Sequence, residues 1–409
     1  MANEDKWMLP DGVDELLPKK ARIAEKVRRN ILDLFEVWGY QLVIPPLIEF
    51  CDSYLIGTGK DVELQTFRLT DQISGKPMVV RADITPQTAR IDAHSMPSEK
   101  VRRLSYAGTV LHAKPENLFS SRCPIKIGAE IFGNTSLDAD IEIISLLLEM
   151  LNVVNRCCNT NKTISISNLT LDLGHAQINR SIRKVLRETL PGLTSNQEDE
   201  IFLAVQSKSL ADLKLLASEF TEKKELCELL FALPEMCGSI KVLEKAKKVL
   251  QPLGDQVLDA LVQIEKVAEV ISKRFPDISL YFDLSEIHGF EYHSGVVFAA
   301  YASGRGIPLA NGGRYDNIGK VFGTPRTATG FNTDIKSLID FMTISHLEIE
   351  DTSSKDIVSA PYDYDPSLWQ KVTSLRNNGE VVIFNGESGS EKANYFLHKK
   401  NGQWEKSKI

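Results

Sequence analysis

The sequence has little cysteine, no long apolar run and no excess of positive charge. Its six cysteines in 409 residues (Cys51, Cys123, Cys157, Cys158, Cys227 and Cys237) form no CxxC pair and stand at no metal-ligand spacing with histidine. That excludes a zinc-ribbon site and a disulfide framework. Thiols scattered in this way are expected to be reduced core residues, with no metal bound. No stretch approaches the roughly 18 apolar residues that span a bilayer. The N-terminus, "MANEDKWMLPDG", lacks the basic-then-apolar order of a signal peptide. A cytoplasmic protein with no membrane association is therefore expected. The net charge of -7 excludes broad nucleic-acid binding, which needs a basic surface. There is no internal repeat and no low-complexity tract.

What remains is ordinary globular material, 43% hydrophobic and 25% charged. The length allows a large core and two or three domains. After "LPDGVDELLP", the spacing of Ile23, Val27, Ile31 and Leu34 predicts a helix over 19–37, ended by Gly39. "YQLVIPPLIEF" predicts a strand running into Pro45 and Pro46. Two strands flank a turn at Ser74-Gly75, and a helix starts after Thr85-Pro86. A helix is expected over 138–154, where Asp138 and Asp140 suit the N-terminal dipole. "TISISNLTLDLG" reads as a strand. Residues from about 178 to 275 read as a helical insertion, clearest at Val257, Leu261, Ile264, Ala268, Ile271 and Phe275. Strands return at "ISLYFDL", "EYHSGVVFAAYA" and "IPLANGG", and a helix is expected to start near Phe331. The expected division is a core over 1–342, a linker over 343–365 and a small α/β unit over 366–409. The fold class is α+β.

One stretch asks for a function. "SYAGTVLHAKPENLFSSRCPIKIGAEIFG", Ser105 to Gly133, reads as two strands joined by a long loop. Hairpin loops usually have roughly two to five residues, so a longer one is expected to reach over something. Read with "LPDGVDELLP…WGYQLVIPPLIE", "RADITPQTAR" and "HGFEYHSGVVFAAY…LANGGRYDNI…ATGFNTDIKSL", the hairpin resembles the class II aminoacyl-tRNA synthetase core. Within that class the resemblance is to histidyl-tRNA synthetase, over about residues 5 to 342. It implies a class II synthetase-like antiparallel sheet flanked by helices, a homodimer built on the first motif, and a hairpin loop that closes over ATP.

The chemistry implied by that resemblance needs cations. A carboxylate attacks an α-phosphate, both partners are anionic, and arginine grips phosphate oxygens at two points. The family's arginine at the end of the first hairpin strand falls here on Leu111, or on His112 if the loop is one residue longer. The adenine-placing glutamate falls on Ala113, the third-motif arginine on Ser337, and the arginine of the histidine-recognition segment on His288. Each lost transition-state donor costs roughly 100- to 1000-fold. Lys114, Arg122 and Lys336 remain near these slots. The chain after position 342 is also short for an anticodon-binding domain, so no tRNA partner is expected.

A synthetase core stripped of its arginines resembles the family of ATP phosphoribosyltransferase regulatory subunits. This is also the closer likeness for "RADITPQTAR", "LSYAGTVLHAKP" and "IKIGAEIFG". The likeness implies a non-catalytic chain that forms a hetero-oligomer with a short-form ATP phosphoribosyltransferase catalytic subunit, with L-histidine as feedback ligand and no cofactor. The alternative is an amino-acid-activating ligase acting on a non-tRNA acceptor. Matched to the synthetase pocket, the histidine-binding candidates are Asp83, Thr85, Lys126, Glu130, Tyr292 and His293. Asp83 and Glu130 would meet the ligand's ammonium group. A purely structural role competes, in which Glu130 balances Lys126 or Arg81 in a buried network.

Overall fold

The computed structural model describes residues 8–56, 60–115, 120–157, 168–285, 293–316, 326–344, 356–384 and 393–409. Two compact units are formed, residues 1–347 and 348–409. Strands of the first unit, in chain order, are β1 (Gln41–Leu42), β2 (Ile48–Phe50), β3 (Phe67–Thr70), β4 (Pro77–Val80), β5 (Arg102–Thr109), β6 (Ile125–Phe132), β7 (Leu169–His175), β8 (Cys237–Gly238), β9 (Ser279–Asp283), β10 (Val296–Ala302), β11 (Ala310–Arg314) and β12 (Ala328–Asp334). Nine of them make one sheet in the order β1-β5-β6-β12-β11-β10-β7-β9-β8. It is antiparallel except where β1 joins β5 and where β7 joins β9. β2, β4 and β3 form a separate antiparallel sheet.

The two faces of the large sheet differ because side chains alternate along each strand. Ile127, Ala129 and Ile131 of β6, Phe331 of β12, Phe298 and Ala300 of β10, and Leu171 and Leu173 of β7 point into one continuous core. That core is closed by the helices Pro18–Val37, Leu137–Cys157 and Asp255–Arg274. The first buries Ala24, Val27, Ile31 and Phe35. The second is apolar around most of its circumference because it is covered on several sides. The opposite sheet face carries polar residues and glycine. Across it, Leu104, Glu130, Gly330, Gly313, Val297 and Gly174 pair in one row.

Several expectations need correction. The helix expected near Phe331 starts about a turn later. Ala328–Asp334 is a central strand between β6 and β11, and the helix begins at Ile335. Its glycine and threonine content suits a strand packed closely on both edges. The strand expected over "YQLVIPP" shrinks to Gln41–Leu42, since prolines 45 and 46 have no N–H to continue a ladder. Ile357–Ala360, expected to be linker, is the strand β13 of the second unit. Four residues among turn formers show too little alternation to be recognised. In that unit β13 pairs in parallel with β14 (Val381–Phe384) and β15 (Tyr395–Lys400), which turns into β16 (Gln403–Lys408). The helix Pro366–Asn377 covers a small core of Val358, Leu368, Val372, Leu397 and Trp404. Of "TISISNLTLDLG", residues 163–167 lie outside the described residues, as does Cys158.

One buried base sets an acid limit for this fold. His175 ends β7, and its Nδ1 accepts the Gln177 N–H at 3.1 Å, capping the helix Ala176–Thr189. Burial holds its imidazole down to about 4 from 6.5. Between those values the unfolded chain holds the extra proton, so stability falls as pH falls from 6.5 to about 4. His175→Asn keeps a cap and removes this titration. It is expected to move the acid unfolding midpoint, followed by circular dichroism, to lower pH.

Candidate functional site

The site lies on the polar face of the large sheet, at the row that contains Glu130. Two glycines make room for it. A side chain at Gly330, on the neighbouring strand, would collide with the Glu130 carboxylate, and one at Gly313 would meet the His293 ring at 2.8 Å. So the Glu130 carboxylate lies over Gly330, and the imidazole of His293 lies over the next glycine in the row.

Glu130 is 1% exposed. Its Oε1 accepts from Thr85 Oγ1 at 3.1 Å and from Tyr106 OH at 3.2 Å, and its Oε2 accepts from Tyr315 OH at 2.6 Å. Desolvation pushes the carboxyl up to about 8, and the nearby Asp83 adds to this against the pull of the hydroxyls. Asp83 is buried as well. Its Oδ1 accepts the N–H of Ile84 at 2.7 Å, while its Oδ2 has no hydrogen-bond partner among the described residues. Tyr54 fixes this segment: its hydroxyl accepts from the N–H groups of Ala82 and Asp83 and donates to the Asp83 carbonyl.

The proposed structural pairing of Glu130 is not found. Lys126 shares its strand and face but directs Nζ to Asn332 Oδ1 at 3.4 Å. Arg81 donates to the carbonyls of Thr109 and Pro45 and to Gln87. Its remaining guanidinium nitrogen lies over Gly108, the residue paired with Lys126. The floor is therefore polarised, with carboxylates toward Glu130 and cations toward Lys126. Tyr292 and His288 lie outside the described residues. Tyr54, Tyr106 and Tyr315 were not singled out from sequence. Only Tyr315 had a signal, as the residue after a Gly-Gly-Arg run.

The phosphate slots hold no free guanidinium among the described residues. His112 is buried with Nε2 3.0 Å from the Ala82 carbonyl, and Leu111 donates its N–H to the Arg81 carbonyl. Ser337 caps onto Asp334. Nearby cations are engaged elsewhere. Arg122 donates to the carbonyls of His112 and Asp11 and stacks over Phe67. Lys336 holds Asp14 at 3.1 Å. The second described end of the long loop, at Ser121 and Arg122, is thus tied to the N-terminal segment. Arg314 of the "GGRYDN" run clamps Asp140 with two nitrogens, so Asp140 is an ion-pair partner and not only a dipole residue. The described residues contain no cluster suited to a metal ion and no helix long and apolar enough to cross a membrane.

Against known proteins, residues 12–338 match a family model described as histidyl-tRNA synthetase. Residues 355–406 match one described as the ATP phosphoribosyltransferase subunit HisZ C-terminal domain. The ATP phosphoribosyltransferase regulatory subunit of Stutzerimonas stutzeri is 42% identical over 395 residues, covering 96% of this chain and 94% of the relative. That of Thioalkalivibrio sulfidiphilus is 43% identical over 383 residues, covering 94% and 92%. A crystal structure from Bacillus halodurans C, described as an ATP phosphoribosyltransferase regulatory subunit/histidyl-tRNA synthetase, aligns with a TM-score of 0.78 at 22% identity over 96% of each chain. Histidyl-tRNA synthetase from Nostoc sp. PCC 7120 aligns with a TM-score of 0.70 at 17% identity, over 98% of this chain and 97% of its own. At such identities the last two speak for the fold alone.

Proposed function

The chain belongs to the family of ATP phosphoribosyltransferase regulatory subunits, and from that premise we propose that it holds L-histidine between Asp83 and Glu130 as the feedback signal. It is a non-catalytic subunit for the first step of histidine biosynthesis, and the chemistry resides in its partner, a short-form catalytic chain, in a hetero-oligomer. One observation carries the ligand assignment. Two buried carboxyl groups, Asp83 and Glu130, make no ion pair among the described residues, whereas Asp92, Asp140, Glu198 and Asp283 each make one at 2.5–2.7 Å. A buried carboxylate without a counter-ion is unfavourable by several kcal/mol. An amino acid's ammonium supplies the missing charge, and Lys126 and Arg81 face its carboxylate end. The alternative ligase lacks support, because its phosphate slots hold leucine or histidine and serine.

The test is a complex of this chain with a short-form phosphoribosyltransferase, assayed for phosphoribosyl-ATP with and without histidine. Asp83→Asn or Glu130→Gln removes a charge-assisted hydrogen bond of about 1.5–3 kcal/mol. At pH 8 the histidine concentration for half-inhibition, relative to each complex's own uninhibited rate, is expected to rise roughly ten- to hundredfold. An unchanged value would place the ligand elsewhere.

The proposal extends to self-association in the cytoplasm, without tRNA. Leu42, Ile44, Leu47, Ile48 and Phe50, close together in the chain at β1 and β2, are all left exposed, Ile44 by 84%. Large apolar residues exposed together on one segment favour a dimer interface. Light scattering is expected to return a dimer for the isolated chain at micromolar concentration and a monomer for Ile44→Asp combined with Ile48→Asp.

A further inference from the structure

We propose that ligand binding is coupled to a proton at Glu130: the side chain is a neutral carboxylic acid in the empty site and becomes a carboxylate when an ammonium group lies against it. This rests on the ligand reading above. The argument starts from what surrounds the carboxyl. From the segment before the helix Thr85–Arg90 come Asp83 and Thr85, with Tyr54 behind them. β5 contributes Tyr106, and the residue after β11 contributes Tyr315. On its own strand the charged neighbour is Lys126, engaged with Asn332. Arg81 is engaged with backbone carbonyls, and His293 lies over Gly313. Among the described residues, then, the groups bonded to Glu130 are hydroxyls, and the charged group that acts on it is another carboxylate, Asp83.

Hydroxyls serve either state. Toward a carboxylate, Thr85, Tyr106 and Tyr315 donate. Toward a carboxylic acid, one of them turns its lone pair to accept the acidic proton. The cradle needs no rearrangement to exchange one state for the other. What decides between them is charge. With no cation, burial and Asp83 favour the acid, and the carboxyl titrates at about 8. A bound ammonium reverses the balance, and the proton leaves to solvent as the ion pair forms. The direction follows. Below about pH 8 the ligand must displace a proton, so affinity rises with pH and levels off once Glu130 is already ionised. Histidine inhibition of the assembled complex is tighter at pH 8 than at pH 6.5 for the same reason.

Titration calorimetry of histidine into the full chain at pH 7.5, in phosphate and in Tris, counts the protons released. Wild type is expected to release about three-quarters of a proton more than Glu130→Gln, since a group titrating near 8 is mostly protonated there. The glutamine variant keeps any contribution from the ligand's imidazole and from His293, so the difference belongs to Glu130. If that variant fails to fold, wild type decides above the ordinary imidazole range: its dissociation constant is expected to fall roughly threefold from pH 7.5 to 8.5. Binding with no proton released and with affinity flat over that range would overturn the coupling and leave the ligand reading intact. Absence of histidine binding at every pH would overturn both.

Discussion

Purified and supplied with ATP, magnesium and histidine, the chain is expected to give no histidine-dependent exchange of pyrophosphate into ATP. The reaction joins two anions, and every donor that a synthetase core would aim at the phosphates is replaced. Leu111 is apolar. His112 is buried with its ring on the Ala82 carbonyl, and Ser337 bonds to Asp334. Arg122 and Lys336 are the cations best placed by sequence to compensate. Moving Arg122 to a phosphate would break two carbonyl bonds and a stacking contact, and moving Lys336 would release Asp14. One missing donor lowers such a rate by roughly 100- to 1000-fold, and several together take it below detection. Exchange above background that vanishes without histidine would overturn the non-catalytic assignment.

Replacing Arg314 by methionine is expected to destabilise the core unit by about 3–5 kcal/mol, read as a lower urea midpoint with an unchanged slope. Arg314 donates twice to Asp140, at 2.6 and 3.0 Å, and once each to the carbonyls of Asn134 and Ser136. Asp140 is 1% exposed, and burial pushes its carboxyl up even with the guanidinium beside it. Without the arginine, a buried charge and two carbonyls at the start of the helix Leu137–Cys157 go unmatched. Adding Asp140→Leu to Arg314→Met removes the orphaned charge and is expected to recover most of the loss. If the single variant is as stable as wild type, the clamp has no structural importance.

Much of this protein was legible as residue identity at fixed spacing. The α+β class followed from segregated helical and β-branched stretches. The family followed from four motifs in order. The loss of phosphate chemistry followed from leucine, histidine and serine where arginines belong. Local signals also placed the helix Pro18–Val37, whose apolar face repeats at helical spacing, and the turn at Ser74-Gly75, where the glycine takes positive φ. They failed at Ala328–Asp334 and Ile357–Ala360, because a short central strand buried on both faces has no alternation to display.

Residue identity alone tells which acids and bases the protein owns. Their pairing is set by contacts between distant parts of the chain. Asp140 looked like a dipole residue until Arg314, 174 positions away, was found against it. Glu130 looked equally able to neutralise Lys126 or Arg81. Its partners are instead hydroxyls from positions 85, 106 and 315, brought together by strand register and by glycines that admit the carboxylate. The physical reason is that a carboxylate's state depends on solvent exclusion and on charges within a few ångströms, and neither is a property of sequence neighbours.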